Sequence, residues 1–145
     1  MMTRSKRMQP VQRVAQNREQ SAVQKLGRSQ QNLDAQRARL KELRAYRDQY
    51  ARDFELSGGT GLDTARIQDY RVFLNRLGEA ICQQEALLEQ CSSQHELTRQ
   101  QWIETRTHSQ AIDKVVHRYR REEHRLQDRR EQKEQDERAL HPAKK

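Results

Sequence analysis

The chain has 145 residues, of which 34% are charged and 32% hydrophobic, and its formal net charge is +8. This composition excludes a broad globular core, whereas a narrow seam between two helices needs far less apolar surface. No run of about 18 apolar residues could span a bilayer, and no apolar segment follows the basic amino terminus, so we expect neither a membrane span nor a signal peptide. Cys82 and Cys91 are too far apart on one helix for an internal disulfide, so a reducing cytoplasm is expected.

The first predicted element is a helix over about 10–56. Pro10 suits a first helical turn. Apolar residues recur every seven positions in two series, a and d, as supercoiled helices require. The a series contains Leu26, Leu33, Leu40 and Phe54, and the d series contains Met8, Ala15, Ala22, Leu43 and Tyr50. This pattern predicts one strand of a coiled coil.

A glycine cluster interrupts the helical pattern over residues 57–63. Gly58 can take the left-handed conformation that ends many helices. Asp63 or Thr64 can cap the helix that follows. The chain is therefore predicted to turn back on itself over 57–63 and to form a second helix over about 64–138.

The second predicted helix has the same seven-residue repeat. Its a series contains Ile67, Leu74, Ile81, Leu88, His95, Trp102 and Val116, and its d series contains Tyr70, Leu77, Gln84, Cys91, Ile112 and Tyr119. Two such helices predict an all-α fold, an antiparallel coiled-coil hairpin that forms a single domain over 1–145. Helix 2 is longer than helix 1, so residues beyond about 118 should form a polar overhang, and both termini should be flexible.

The charge is unevenly distributed along the chain. Residues 1–56 contain 13 Lys or Arg against 6 Asp or Glu, residues 57–115 contain 6 against 8, and residues 116–145 contain 10 against 7. In a hairpin the two basic segments meet at one end. Their positive field is expected to attract acidic partners.

Apolar residues also lie outside the a and d seam. Tyr46 of helix 1 and Phe73, Ala80 and Leu87 of helix 2 occupy g positions, which flank the seam on one side of an antiparallel pair. Residues 46 and 73 are nearly equidistant from residue 60, so they should lie at the same height. An exposed apolar patch is typical of a surface that contacts a partner. The alternative is that these side chains only widen the core.

Several spaced motifs along the chain resemble those of one known family. They are Leu43-x-x-Tyr46-x-x-x-Tyr50, then glycines, then Tyr70-x-x-Phe73-Leu74-x-x-Leu77-x-x-Ala80-Ile81-x-x-Gln84, then Trp102 and Ala111-Ile112-Asp113-Lys114. In order and spacing they resemble FliJ, the small coiled-coil component of the flagellar type III export apparatus. Length, basic charge and turn position are also similar.

The resemblance implies a non-enzymatic stalk at the base of the flagellar export apparatus. Such a stalk promotes ring assembly of the hexameric export ATPase FliI, links that ATPase to the membrane export-gate protein FlhA, and escorts export chaperones. The gate-binding residues that the resemblance implies are Arg39, Leu43, Tyr46, Tyr50, Phe73, Leu77, Ala80 and Gln84. The basic end expected in the ATPase pore contains Arg4, Lys6, Arg7 and Arg13.

The sequence contains no pattern that indicates catalysis. The segment Gly58-Gly59-Thr60-Gly61 lacks the Lys-Ser/Thr of a phosphate-binding loop. His117 and His124 are seven residues apart, whereas helical metal pairs are four apart. Neither Cys82 nor Cys91 has an evident base. We therefore expect no enzyme activity, no cofactor and no metal.

Three other functions stay open at the level of sequence. An injectisome stalk would share the mechanism but use a different ATPase and gate. A nucleic-acid binder would use the basic ends, although acidic residues interrupt them and no binding motif is present. A generic structural coiled coil would not need the apolar g positions. We expect no nucleic-acid binding and no direct membrane insertion.

Overall fold

A computed structural model describes residues 2–58 and 64–141 of the chain. Two helices, α1 (Arg4–Ser57) and α2 (Thr64–Leu140), pack against each other, which confirms the all-α hairpin. Buried and half-buried residues recur mostly at alternating intervals of three and four along both helices, and most of them occupy the predicted a and d positions. In their described residues, neither helix has an apolar stretch suited to crossing a membrane.

Helix α1 begins at Arg4, earlier than the predicted start near residue 10. Thr3 caps it, since Thr3 Oγ1 accepts a hydrogen bond from the backbone N–H of Lys6 (3.4 Å) and Thr3 O accepts one from the backbone N–H of Arg7 (3.1 Å). Such caps satisfy amides that a helix start leaves without a helical acceptor. Pro10 therefore lies inside α1, and our placement of it in the first turn is wrong.

The connection between the helices falls mostly outside the described residues. Ser57 ends α1, and Gly58 extends its last turn without adopting the left-handed conformation that we predicted. The rest of the predicted turn, 59–63, and the candidate cap Asp63 lie outside the described residues. Thr64, the other candidate cap, is the first residue of α2.

Helix α2 ends at Leu140, slightly beyond the predicted end at 138. Every residue over 124–141 is exposed, as expected of a polar overhang. The overhang starts later than the predicted residue 118, because Tyr119 and Glu123 of α2 still contact residues at the start of α1.

The chain divides into two compact units. The turn-proximal unit is Val23–Gln100, and the terminal unit is Met1–Ala22 with Gln101–Lys145. The single domain over 1–145 stays a prediction. The core of the turn-proximal unit contains Leu40, Leu77 and Ile81, with Leu43, Phe73 and Leu88 packed against it. The core of the terminal unit contains Ala15, Ile112 and Val116, with Met8 packed against it.

Candidate partner-binding surfaces

Aromatic rings from both helices meet in the turn-proximal unit. The ring centroids of Tyr46 and Phe73 lie 6.0 Å apart in an edge arrangement, and those of Tyr50 and Phe73 lie 4.4 Å apart. Tyr70 stacks on Tyr50 at 5.2 Å and on Phe54 at 3.6 Å. Edge and stacked pairs at these separations are favourable beyond the area they bury. The predicted pairing of residues 46 and 73 is confirmed.

We define the aromatic ridge as Leu43, Tyr46, Tyr50, Phe73 and Ala80. Tyr46 is 54% exposed, whereas the other four side chains are half-buried. The half-buried members widen the core, as the alternative interpretation expected, and they also hold the Tyr46 ring at the surface. The ridge is therefore partly core and partly accessible surface.

Three other predicted gate-binding residues lie around the ridge. Arg39 is exposed and lies one heptad before Tyr46, hence on the same side of α1. Leu77 and Gln84 are only 8% and 6% exposed. The Gln84 side-chain amide donates hydrogen bonds to Gln36 O (3.1 Å) and Gln36 Oε1 (2.8 Å). Leu77 and Gln84 thus join the helices in the seam and support the ridge from beneath.

The opposite flank of the seam is polar. There Arg44 Nη2 lies 3.1 Å from Glu85 Oε1, in an ion pair whose side chains are about half exposed. Such exposed pairs contribute little stability. The other e positions of the repeat on that flank hold Ala51, Arg71 and Gly78, which add little apolar bulk. Apolar surface beside the seam is therefore concentrated on the ridge side.

Polar side chains interrupt the apolar seam between the two helices of the turn-proximal unit. The hydroxyl of Ser29 and Nδ1 of His95 share a hydrogen bond of 3.1 Å. The Asn32 amide donates to Cys91 Sγ at 3.4 Å. His95 is half-buried with a hydrogen-bond partner, as its a position predicted. Cys82 and Cys91 are both free thiols.

The predicted basic end lies in the terminal unit. Arg4, Lys6, Arg7 and Arg13 are all exposed on α1. Helix α2 adds Arg118, which was not predicted there, and Tyr119, which continues the d series of the seam. The guanidinium carbons of Arg4 and Arg118 lie 5.7 Å and 6.0 Å from the centre of the Tyr119 ring. Cation–π attraction at this range holds the two cations near one another.

A carboxylate on α2 binds the start of α1. Glu123 Oε1 accepts a hydrogen bond from the backbone N–H of Ser5 (2.9 Å), and Glu123 Oε2 accepts one from the Ser5 hydroxyl (2.6 Å). These bonds, the side-chain bond first, lower the pKa of Glu123 below its ordinary value. The carboxylate also lies at the positive end of the helix dipole. Ser5 and Glu123 therefore clasp the two helices together.

The clasp gives a pH-dependent prediction. Because the folded-state pKa is lowered, the clasp should be intact above the ordinary pKa of 4.5 and lost as pH falls through the lower folded-state value. Glu123→Gln should lower the hydrogen-exchange protection of the Ser5 amide at neutral pH, and acid should abolish the difference from the unmodified protein. NMR amide exchange measures both effects. Glu122→Gln, at an exposed neighbour, should change nothing, and equal protection in both variants would contradict the clasp.

Trp102 anchors the seam of the terminal unit. Its side chain is half-buried at an a position, as predicted, and the Arg106 guanidinium lies 5.4 Å from the centre of its ring. The buried Nε1–H has no hydrogen-bond partner among the described residues.

Within residues 2–58 and 64–141, no group of three or more His, Cys, Asp or Glu could hold a metal ion.

A comparison with known protein families gives a match over nearly the whole chain. A protein-family model described as "Flagellar FliJ protein" matches residues 4–144, nearly the whole chain. The matched range includes the aromatic ridge, the exposed basic residues of α1 and the clasp. No curated protein and no solved structure matches the chain.

Proposed function

The chain belongs to the FliJ family of flagellar type III export proteins, and from this we propose that it is a stalk without catalytic activity of its own. It promotes ring assembly of the hexameric export ATPase FliI, links that ATPase to the export-gate protein FlhA, and escorts export chaperones. It acts in the cytoplasm at the base of the flagellar export apparatus.

The aromatic ridge is the observation that carries the proposed link to the gate. Tyr46 exposes 54% of its surface while Phe73 and Tyr50 fix its ring. An aromatic side chain held in place loses little conformational entropy when a partner covers it. Tyrosine is also common among the residues that contribute most to binding. Arg39 extends the proposed gate surface, and Leu77 and Gln84 keep its two helices in register.

The basic residues of the terminal unit support the proposed contact with the ATPase. Arg4, Lys6, Arg7 and Arg13 are exposed along the start of α1, and Arg118 adds a cation from α2. A surface with this excess of positive charge attracts acidic loops and accelerates their association. We propose that these side chains contact acidic residues lining the pore of the ATPase ring.

The proposed function is tested by asking which proteins the full chain retains. Purified chain, attached through its carboxyl terminus, should retain both FliI and the cytoplasmic part of FlhA at near-physiological salt. Retention of neither protein would overturn the proposal. Retention of an injectisome ATPase and gate in preference to the flagellar pair would favour the injectisome alternative, and salt-sensitive retention of nucleic acid alone would favour a nucleic-acid binder.

A further inference from the structure

One outward face of α2 in the turn-proximal unit contains no charged residue. Over residues 83–100, positions c, f and g of the seven-residue repeat hold only Ala, Gln, Ser or Leu. The charged residues of this segment are Glu85, Glu89, Glu96 and Arg99, and they occupy positions b and e. In a chain that is 34% charged, a solvent-facing arc of this length is expected to carry several charges. We call it the uncharged face.

The uncharged face exposes apolar side chains beside a groove. Leu87 is 40% exposed and Leu97 is 50% exposed. The adjacent groove has a volume of about 810 Å³. Ser29 and Asn32 line it from α1, and its lining from α2 includes Glu89 at one edge of the uncharged face. Exposed leucines beside an open groove, on a helix face without charge, are typical of a surface against which another helix packs.

The spacing on this face matches a second coiled-coil seam. Gln83, Leu87, Gln90, Gln94 and Leu97 follow one another at intervals of four, three, four and three residues. This is the spacing of a and d positions, now on the outside of the hairpin. The flanking f residues, Ala86 and Ser93, are small, so a second helix can approach closely.

We propose that the occupant of this face is a second copy of the same chain, packed antiparallel about a two-fold axis near residue 92. Leu87 and Leu97 lie five residues before and after that point, and Gln90 and Gln94 lie two residues before and after it. An antiparallel pair centred there stacks Leu87 of one copy on Leu97 of the other and Gln90 on Gln94. A two-fold interface requires this kind of self-complementary pattern.

The charges of the chain are compatible with this pairing. Although each copy carries a net charge of +8, the side chains paired across the proposed axis (Leu87 with Leu97, Gln90 with Gln94) are all uncharged. Each glutamine amide both donates and accepts, so Gln90 and Gln94 can satisfy one another across the axis. The proposal needs neither the gate nor the ATPase, so it does not depend on the proposed function.

The first test measures mass against concentration by sedimentation velocity of the full chain. The unmodified protein should shift from one copy to two as concentration rises. Leu97→Glu should weaken this association at least tenfold by placing a carboxylate against the partner's leucine. The matched control is Val72→Glu, since Val72 is 49% exposed on α2 but precedes the segment that forms the face. A mass of one copy at all concentrations, or dimers that survive Leu97→Glu, would overturn the proposal.

The second test locates the two-fold axis by disulfide crosslinking. In a chain carrying Cys82→Ser and Cys91→Ser, the variant Ser93→Cys should oxidise to a covalent dimer, because Ser93 lies beside the axis. Glu96→Cys lies on the other side of α2 and should stay monomeric. Equal crosslinking of the two variants would reject the antiparallel packing. If the chain is instead monomeric and binds a helix of another protein, and Leu97→Glu abolishes that binding, the face belongs to that other protein and the dimer is overturned.

Discussion

Replacing Tyr46 and Phe73 together by alanine is expected to weaken gate binding about 30-fold or more and to abolish swimming, while helix content is kept. An aromatic anchor of this kind contributes about 2 kcal/mol or more to binding, which corresponds to that factor. Phe73→Ala also removes the ring that orients Tyr46, so the two losses should not be independent. Titration calorimetry with the gate's cytoplasmic part and a swimming assay measure the effects.

The single variant Tyr46→Ala separates binding from stability. Phe73 packs against the core of the turn-proximal unit, so Phe73→Ala alone should lower the free energy of unfolding by about 2 kcal/mol. Tyr46 is 54% exposed, and its loss should lower the unfolding free energy far less. Val72→Ala, on an exposed face away from the ridge, is the control for both. Unchanged export in the double variant would refute the ridge as the gate surface.

Reversing the charge of Arg4, Lys6, Arg7 and Arg13 to glutamate is expected to abolish stimulation of the export ATPase. The change replaces four cations by four anions on the surface proposed to face acidic pore residues. Residues 4, 6 and 7 lie in the first turn of α1, where acidic side chains are favourable to the helix dipole, so helix content should be kept. ATP hydrolysis rates and ring assembly seen by electron microscopy measure the effect. Stimulation by the unmodified chain should also fall as salt is raised.

A control with the same change in net charge comes from the turn-proximal unit. Lys25, Arg28, Lys41 and Arg76 are exposed there, and their reversal to glutamate should leave most of the stimulation intact. If both fourfold variants lose stimulation equally, net charge alone decides the effect and the basic end has no special role. Full stimulation by the variant reversed at residues 4, 6, 7 and 13 would reject the proposed pore contact.

The seven-residue repeat is what made the hairpin predictable. Coiled-coil packing depends mainly on which positions are apolar, and each position is visible in the sequence. A hairpin with one turn then fixes which residues lie opposite each other. This is why Tyr46 and Phe73 could be paired without a structure, and why Ser29 and His95 also meet.

Details that depend on single side chains were less predictable. Pro10 suggested a helix start, but Thr3 provides the cap and starts the helix before it. The family motif places Gln84 on the gate surface, whereas its d position and its bonds to Gln36 bury it. Tyr119 continues the predicted d series, but its contact with Arg4 was not expected, because helix pairing was predicted to end near residue 118. Arg118 was missed for the same reason. The Ser5 clasp on Glu123 extends that pairing, and nothing in the apolar repeat indicates it.

The buried contact between Gln84 and Gln36 fixes the register of the two helices. If one helix slid past the other by seven residues, the Gln84 amide would lie opposite Leu43 or Ser29 instead of Gln36. Opposite Leu43 it would lose both hydrogen bonds, which would cost about 1–3 kcal/mol of stability. A leucine pair at this height would tolerate such a shift. The hydrogen bonds between Gln84 and Gln36 should therefore keep Tyr46 opposite Phe73 when a binding partner exerts force on the hairpin.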